Sequence, residues 1–476
     1  MNSIAELKID HSNSLTLFKN LENKFYLNSN PKIADRISGL KRLRSTLTKY
    51  RSKIIEALDK DFAKPKFESE ASEILVCLRE LDLVIRNLKY WSQNKSVDSD
   101  ILLFGTKSYI RYEPRGVVLI ISPWNYPVNL SLCPLIAAYA AGNKIILKPS
   151  EFTSHTSDII EKIISESFSE DDVIVVQGDA LKSAELVQLP FNLIFFTGSG
   201  SVAKEILKNA SANLTPCVLE LGGKCPVIID EKASLSTAVE HIAFAKLLNA
   251  GQTCIAPDFV VIHQSQVKKF TEEWDSNLQR KFGLNILENE DYCGIINQRH
   301  YDRLKKLISE GIENGGIPSK AIEFDDIKLK IKPVLLLKVD WDSPLMKEEI
   351  FGPILPIITY TNRDELCIKL RKFDRPLNLY IFSRDSNFYN YIIDKTRSGG
   401  VTINQCILNY VERHLPFGGD HQSGNGRYHG QFGFTEFSHM RSITMQSRIP
   451  SSLKLFYPPY THLKIRIKNI LLKLYS

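Results

Sequence analysis

The sequence predicts an α/β protein with two open-sheet α/β domains, and three observations lead there. At 476 residues the chain is longer than one hydrophobic core usually organises. Short apolar runs alternate with helical segments from residue 116 onward. A second α/β region follows from about residue 222 to about residue 399. Buried runs alternating with helices are the pattern of parallel sheets, which bind ligands at the carboxyl ends of their strands.

The elements come in order. Residues 33–58 carry apolar side chains at helical spacing, and residues 68–91 repeat the pattern with Ile74, Leu78, Leu81 and Ile85. Residues 101–112 alternate loosely and favour a hairpin projecting from the body. Strands are expected at residues 117–122, 144–147, 173–177 and 192–197, with helices at 157–168 and 202–210. A further helix is expected at 236–248. Residues 401–445 are rich in glycine, histidine and aromatic side chains.

Composition narrows the function classes. The eight cysteines form no C-x-x-C pair, so free thiols, a reducing intracellular compartment and no bound metal are expected. Residues 1–10 have no apolar core, and no secretory signal is expected there. The net charge is +7, but Lys454, Lys464, Arg466, Lys468 and Lys473 supply five of those charges from a tail without acidic residues. The body is near neutral, which argues against nucleic acid as a partner.

Several loop motifs carry chemistry. Asn249-Ala250-Gly251-Gln252-Thr253-Cys254 ends a helix and offers an exposed thiol in a glycine-containing turn; a buried inert cysteine is the bland alternative. In Leu219-Glu220-Leu221-Gly222-Gly223-Lys224 the glutamate sits between leucines, where burial raises its pKa and suits it to general-base work. Its alternative is a structural pair with Lys224. Ser122-Pro123-Trp124-Asn125-Tyr126-Pro127 follows a buried strand, and Asn125 can offer its amide to an oxyanion or merely serve a turn. Lys148-Pro149-Ser150-Glu151 closes the second strand, where ribose recognition is expected. Thr197-Gly198-Ser199-Gly200-Ser201 precedes a helix whose amides can hold a pyrophosphate. Lys347-Glu348-Glu349-Ile350-Phe351-Gly352-Pro353 sets a carboxylate two residues from an aromatic ring.

Together these motifs, in order from about residue 30 to 448, resemble the aldehyde dehydrogenase superfamily. Asp61-Phe62-Ala63-Lys64-Pro65, Cys254-Ile255-Ala256-Pro257-Asp258, Leu415-Pro416-Phe417-Gly418-Gly419, Tyr428-His429-Gly430 and Tyr457-Pro458-Pro459-Tyr460 are similar to its class 3 branch, which includes fatty aldehyde dehydrogenases. Ala203, where many relatives have glycine, and Asp420-His421-Gln422, where small residues are common, depart from the pattern.

The resemblance implies Cys254 as nucleophile, Glu220 as general base and Asn125 as oxyanion donor beside the Cys254 backbone N–H. It implies that Lys148 and Glu151 hold the adenosine ribose and that Gly198 and Ser199 approach the pyrophosphate. Glu349 would hold the nicotinamide ribose, with Phe351 against the ring. NAD is the expected cofactor; Glu151 should repel a 2′-phosphate, yet a swinging glutamate would tolerate it, so NADP use stays open. The implied organisation is a Rossmann-like NAD-binding domain (1–100 and 114–221), a catalytic domain (222–400), a β oligomerisation arm (101–113 and 401–450) and a basic amphipathic tail (451–476), in a homodimer.

The expected activity is oxidation of medium- to long-chain aliphatic aldehydes to carboxylic acids, with aromatic aldehydes or acyl-CoA formation as alternatives. In the tail, Leu463, Ile467, Ile470, Leu471 and Leu474 share one helical face edged by basic residues. That pattern fits peripheral contact with a membrane such as endoplasmic reticulum, mitochondrial outer membrane or lipid droplet, or a helix packed on protein.

Overall fold

The computed structural model describes residues 11–98, 103, 105–446 and 452–474. Residues 1–10, expected to hold no signal, and residues 101, 102 and 104 of the expected hairpin lie outside that set, as do 447–450 of the expected arm and 451, 475 and 476 of the tail.

Two sheets dominate. The first has six strands in the order Gly424–Asn425, Cys217–Leu221, Leu193–Gly198, Val117–Ile121, Lys144–Lys148 and Val173–Val175. All pair in parallel except Gly424–Asn425, which runs antiparallel to Cys217–Leu221. Val117–Ile121 is buried at every position, which is why it reads as an unbroken apolar run rather than an alternating one. The chain steps outward from this strand through Lys144–Lys148 to Val173–Val175, then returns to pair Leu193–Gly198 on its other side. The order therefore reverses between Val117–Ile121 and Leu193–Gly198, and the loops leaving their carboxyl ends begin with Ser122 and Ser199. A ligand crevice is expected at such a switch point.

The second sheet has seven strands in the order Ile317–Pro318, Val334–Leu337, Ile354–Tyr360, Phe259–His263, Pro226–Ile229, Asn378–Phe382 and Gly400–Ile403. Only Ile317–Pro318 is antiparallel to its neighbour. The expected α/β class with two open parallel sheets is the one found.

A third, antiparallel sheet places Thr106–Pro114 between Lys95–Val97 and Ser438–Gln446. Its longest pairing, nine residues on each strand, joins segments more than three hundred residues apart, which a local hairpin signal could not show. The stretch from residue 400 to 446 is shared among these three sheets: Gly400–Ile403 extends the second, Gly424–Asn425 the first and Ser438–Gln446 the third.

The amino-terminal helices Ile33–Lys49, Arg51–Phe62 and Leu75–Trp91 pack their leucine faces on the first sheet's domain. Between the second and third, one π turn spans Glu70–Ile74. The carboxyl-terminal helix His462–Leu474 buries no residue on the chain, and Leu463 and Leu474 are 67% and 75% exposed. Among the described residues no helix is long and apolar enough to cross a membrane.

Candidate active site

The thiol loop is built by backbone strain. After the helix Leu235–Leu247, residues Asn249, Ala250 and Gly251 take φ of 54°, 52° and 77°. The left-handed region disfavours an L-residue such as Ala250 by roughly 1–2 kcal/mol, so the turn needs anchors. Asn249 N–H donates to Glu68 Oε2 at 2.9 Å, and Gln252 Nε2 donates to the carbonyls of Asn249 and Gly294 at 3.0 Å. Gly251 has no substitute: a Cβ there would stand 2.5 Å from the Gly352 carbonyl oxygen. The result is that Cys254 and the loop holding Glu349 and Phe351 are pressed together.

Asn125 is buried in the loop after Val117–Ile121. Its Nδ2 donates to the Gln252 carbonyl at 2.9 Å, and its own carbonyl accepts from Asn249 Nδ2 at 2.8 Å. One of its two side-chain N–H groups is thus occupied and one is left for a ligand. Beneath it, Lys64 and Glu73 form an ion pair of 2.6 Å with both side chains fully buried. Glu73 Oε2 accepts from the N–H groups of Val128 and Asn129, while Lys64 Nζ lies 4.0 Å from the Tyr126 ring centroid. The π turn places Glu73 at the start of the helix Asn129–Ala141, so the charge pair braces the Asn125 loop from below.

Glu220, near the end of Cys217–Leu221, is 3% exposed and neither carboxylate oxygen has a hydrogen-bond partner in the chain. The structural pair with Lys224 does not form. Lys224 instead pairs with Asp258 and donates to the carbonyls of Leu345 and Glu348 at 2.7 and 3.0 Å. Burial pushes the Glu220 carboxyl well above its usual range, with Arg427 acting against the shift and Glu436 adding to it. An unpartnered buried carboxylate is costly unless it serves a ligand or water.

Glu349 packs over Gly222, where a Cβ would stand 2.1 Å from its Oε2, so only glycine admits the carboxylate. Burial first, then the charge of Asp258, raises its pKa to about 8; the Gly223 N–H works the other way. Phe351 meets Trp124 edge-on at 5.4 Å, and Trp124 also contacts His300 at 5.1 Å. Burial, with Arg303 and Arg299 nearby, lowers the His300 pKa to about 4 and leaves the ring neutral at pH 7.

A cleft of about 1090 Å³ brings Cys254, Glu220, Asn125, Gly198, Ser199, Glu349 and Phe351 to one surface. A second hollow, sharing Thr197, Gly198 and Ser199 with it, extends to Lys148 and Glu151, whose side chains pair at 2.7 Å. Every site residue expected from the sequence therefore lies on one continuous groove. It suits a dinucleotide: the buried hydroxyls of Ser122 and Thr197 lack partners, and a Cβ at Gly200 would meet open space at the start of the helix Gly200–Ala210.

Cys254 is a half-buried residue, and burial pushes its thiol up, reinforced by the carboxylates of Glu349 and Glu220. The backbone N–H groups of Cys254 and Ile255 oppose that shift. Cys254 also lines a separate, almost wholly apolar hollow of about 790 Å³ with Val76, Leu130, Phe244, Ile255 and Ile407. Neither that hollow nor the roles of Lys64, Glu73 and Arg427 follow from the motifs. Lys64 lay inside one of them, but nothing local marks its partner nine residues on.

Comparison with known proteins agrees with this geometry. The aldehyde dehydrogenase family profile matches residues 18–443. The chain is 42% identical over 432 residues to the 4,4'-diaponeurosporen-aldehyde dehydrogenase of Staphylococcus aureus, covering 90% of this chain and 92% of that one. It is 38% identical over 434 residues to aldehyde dehydrogenase family 3 member B1 of Rattus norvegicus, covering 91% and 92%. The substrate-bound structure of Staphylococcus aureus AldH superposes with a TM-score of 0.92 at 39% identity, covering 99% of this chain and all of that one. More distant structures of the same fold include PnpE in complex with nicotinamide adenine dinucleotide, at 24% identity and a TM-score of 0.83. The chain belongs to the aldehyde dehydrogenase family, with family 3 members among its relatives, and is an aldehyde dehydrogenase.

Proposed function

We propose that the enzyme oxidises medium- to long-chain aliphatic aldehydes to carboxylic acids through a thioester on Cys254, with NAD preferred. The observation that carries this reading is the position of Cys254 on the wall between two hollows, one polar and one apolar. An apolar chain held in the second hollow presents its carbonyl carbon to the sulfur.

Lys148 and Glu151 hold the adenosine ribose, Gly198 and Ser199 admit the pyrophosphate, and Glu349 with Phe351 holds the nicotinamide riboside. When bound, the dinucleotide supplies the hydride acceptor. The Cys254 thiol gives up its proton to water, its sulfur adds to the carbonyl carbon, and the oxygen that gains charge is met by the free Asn125 N–H and the Cys254 backbone N–H. After oxidation, Glu220 takes a proton from water as that water adds to the thioester, and the acid leaves as the C–S bond breaks. Water as acceptor, rather than coenzyme A, is supported by the unpartnered Glu220 oxygens.

A second reading takes the aldehyde in the name of the Staphylococcus aureus relative as the substrate, favoured by the 42% identity. The tail helix contacts a membrane surface, supported by its exposed leucines and its basic edge. A homodimer is supported by the exposed antiparallel sheet that ends in Ser438–Gln446.

Cofactor reduction by purified protein across aldehydes of increasing chain length, with and without lipid and with NAD or NADP, tests the reading. The expected result is kcat/KM rising with chain length. A preference for short or aromatic aldehydes would refute the substrate assignment.

A further inference from the structure

Glu220 lies under a strap. Leu221 N–H donates to the Ser423 carbonyl and Leu219 N–H to Asn425 Oδ1, both at 3.0 Å, and Gly424 faces Glu220 across the antiparallel pair. The strap departs from its relatives' pattern at Asp420-His421-Gln422, yet it is closed firmly: Asp420 pairs with Arg375 at 2.9 Å, and its N–H donates to Ser423 Oγ. At the strap's far end the Arg427 side chain folds back across Gly418. Its Nη1 donates to the Gly426 carbonyl at 2.6 Å and to the Gly419 carbonyl.

One point measures how near this brings the two charged groups. A Cβ on Gly418 would stand 3.0 Å from Arg427 Cδ and 3.0 Å from Glu220 Oε1. The arginine stem and the carboxylate therefore share a gap only glycine leaves open. The carbonyls of Gly419 and Gly426 take Nη1 of the guanidinium, while neither Glu220 oxygen accepts a hydrogen bond. The cation acts on Glu220 through charge alone, and the lone pairs needed for a water proton stay open.

We propose that Arg427 is a positioning residue for Glu220, a fixed cation that favours the ionised form of the buried carboxylate and so lowers the pH above which the Cys254 thioester is hydrolysed. This rests on the reading of Glu220 as the base. The charged and titratable groups around Glu220 are Arg427, Glu436 of the helix Gly430–Glu436, Cys254 and Tyr428. Burial raises the Glu220 pKa; Arg427 lowers it and Glu436 raises it. Glu436 also accepts the Arg427 backbone N–H at 3.2 Å. Removing the cation must move the acid limb of deacylation to higher pH. Removing Glu436's charge must move it lower.

The test isolates hydrolysis from hydride transfer. The full chain is acylated on Cys254 with para-nitrophenyl acetate without dinucleotide, and the steady rate after the burst is followed against pH for wild type, R427Q, R427K, E436Q and E220Q. In R427Q the acid half-point is expected to rise by about one unit or more, the usual effect of a neighbouring opposite charge. R427K should return it towards wild type, and E436Q should lower it, with burst amplitudes unchanged. A uniform loss of rate in R427Q with the half-point in place would show a merely structural arginine and overturn the proposal. If R427Q fails to fold, E436Q decides alone, and an unmoved half-point there overturns it. If the limb survives in E220Q, the base assignment falls first and the role of Arg427 falls with it.

Discussion

Asn125 Nδ2 donates to the carbonyl of Gln252, two residues before Cys254, so the amide and the thiol loop are locked to each other at 2.9 Å. Replacement by alanine should remove an oxyanion donor and slow acylation by about 10²–10³-fold. Pre-steady-state cofactor reduction measures this directly. N125D should be at least as impaired, because it sets an acceptor against the Gln252 carbonyl. An acylation rate within a few-fold of wild type in both variants would remove Asn125 from the mechanism.

The Lys64–Glu73 pair lies wholly out of water beneath that asparagine. Breaking a buried pair by removing one partner typically costs about 3–5 kcal/mol, whereas apolar replacement of both is far milder. K64M is therefore expected to lower the denaturation midpoint sharply and K64M/E73L to recover much of it. The double variant should also slow acylation, since in it the helix Asn129–Ala141 loses the carboxylate that accepts its first N–H groups. Equal stability of wild type and K64M in urea titrations would contradict the packing described.

Glu349, with a pKa raised to about 8, is mostly protonated at pH 7 in the free enzyme. A ribose hydroxyl donates more strongly to a carboxylate than to a neutral carboxyl group. The KM for NAD should accordingly fall as pH rises from 7 to 9, and E349Q should flatten the dependence. The same shift makes Glu349 a stability term of defined sign. A carboxyl with a raised folded-state pKa stabilises below the unfolded value, and that stability is lost as pH rises towards 8.

The tail helix His462–Leu474 leaves Leu463, Ile465, Ile470, Leu472 and Leu474 exposed on the chain. Flotation with anionic vesicles should carry the full-length enzyme upward and leave a variant lacking residues 462–476 behind, with binding weakened by salt. Equal flotation of both forms would dismiss the membrane reading.

Much of this architecture is legible in the residues. Fully buried strands such as Val117–Ile121 announce themselves as unbroken apolar runs, and the switch point follows from the sheet order they build. The motif residues are legible because most sit at or just beyond a strand's end, while Cys254 follows a helix in a glycine-containing turn. What escapes is long-range pairing without a local signal. Thr106–Pro114 finds its main partner in Ser438–Gln446, and Glu220 meets Arg427 only because the strap crosses its strand. Glu73 reads as one more helical glutamate, and only the π turn places it beneath Asn125. The direction of the Cys254 shift was likewise hidden. In the free enzyme burial and two carboxylates act together to raise the thiol pKa.

The thioester on Cys254 is most directly tested in E220Q, where hydrolysis should stall. Mixed with NAD and a long-chain aldehyde, this variant should give a burst of reduced cofactor of about one equivalent, then a weak steady rate. Mass spectrometry of the quenched protein should find the acyl group on the Cys254 peptide. Steady turnover at the wild-type rate, with no acyl group on Cys254, would contradict the account.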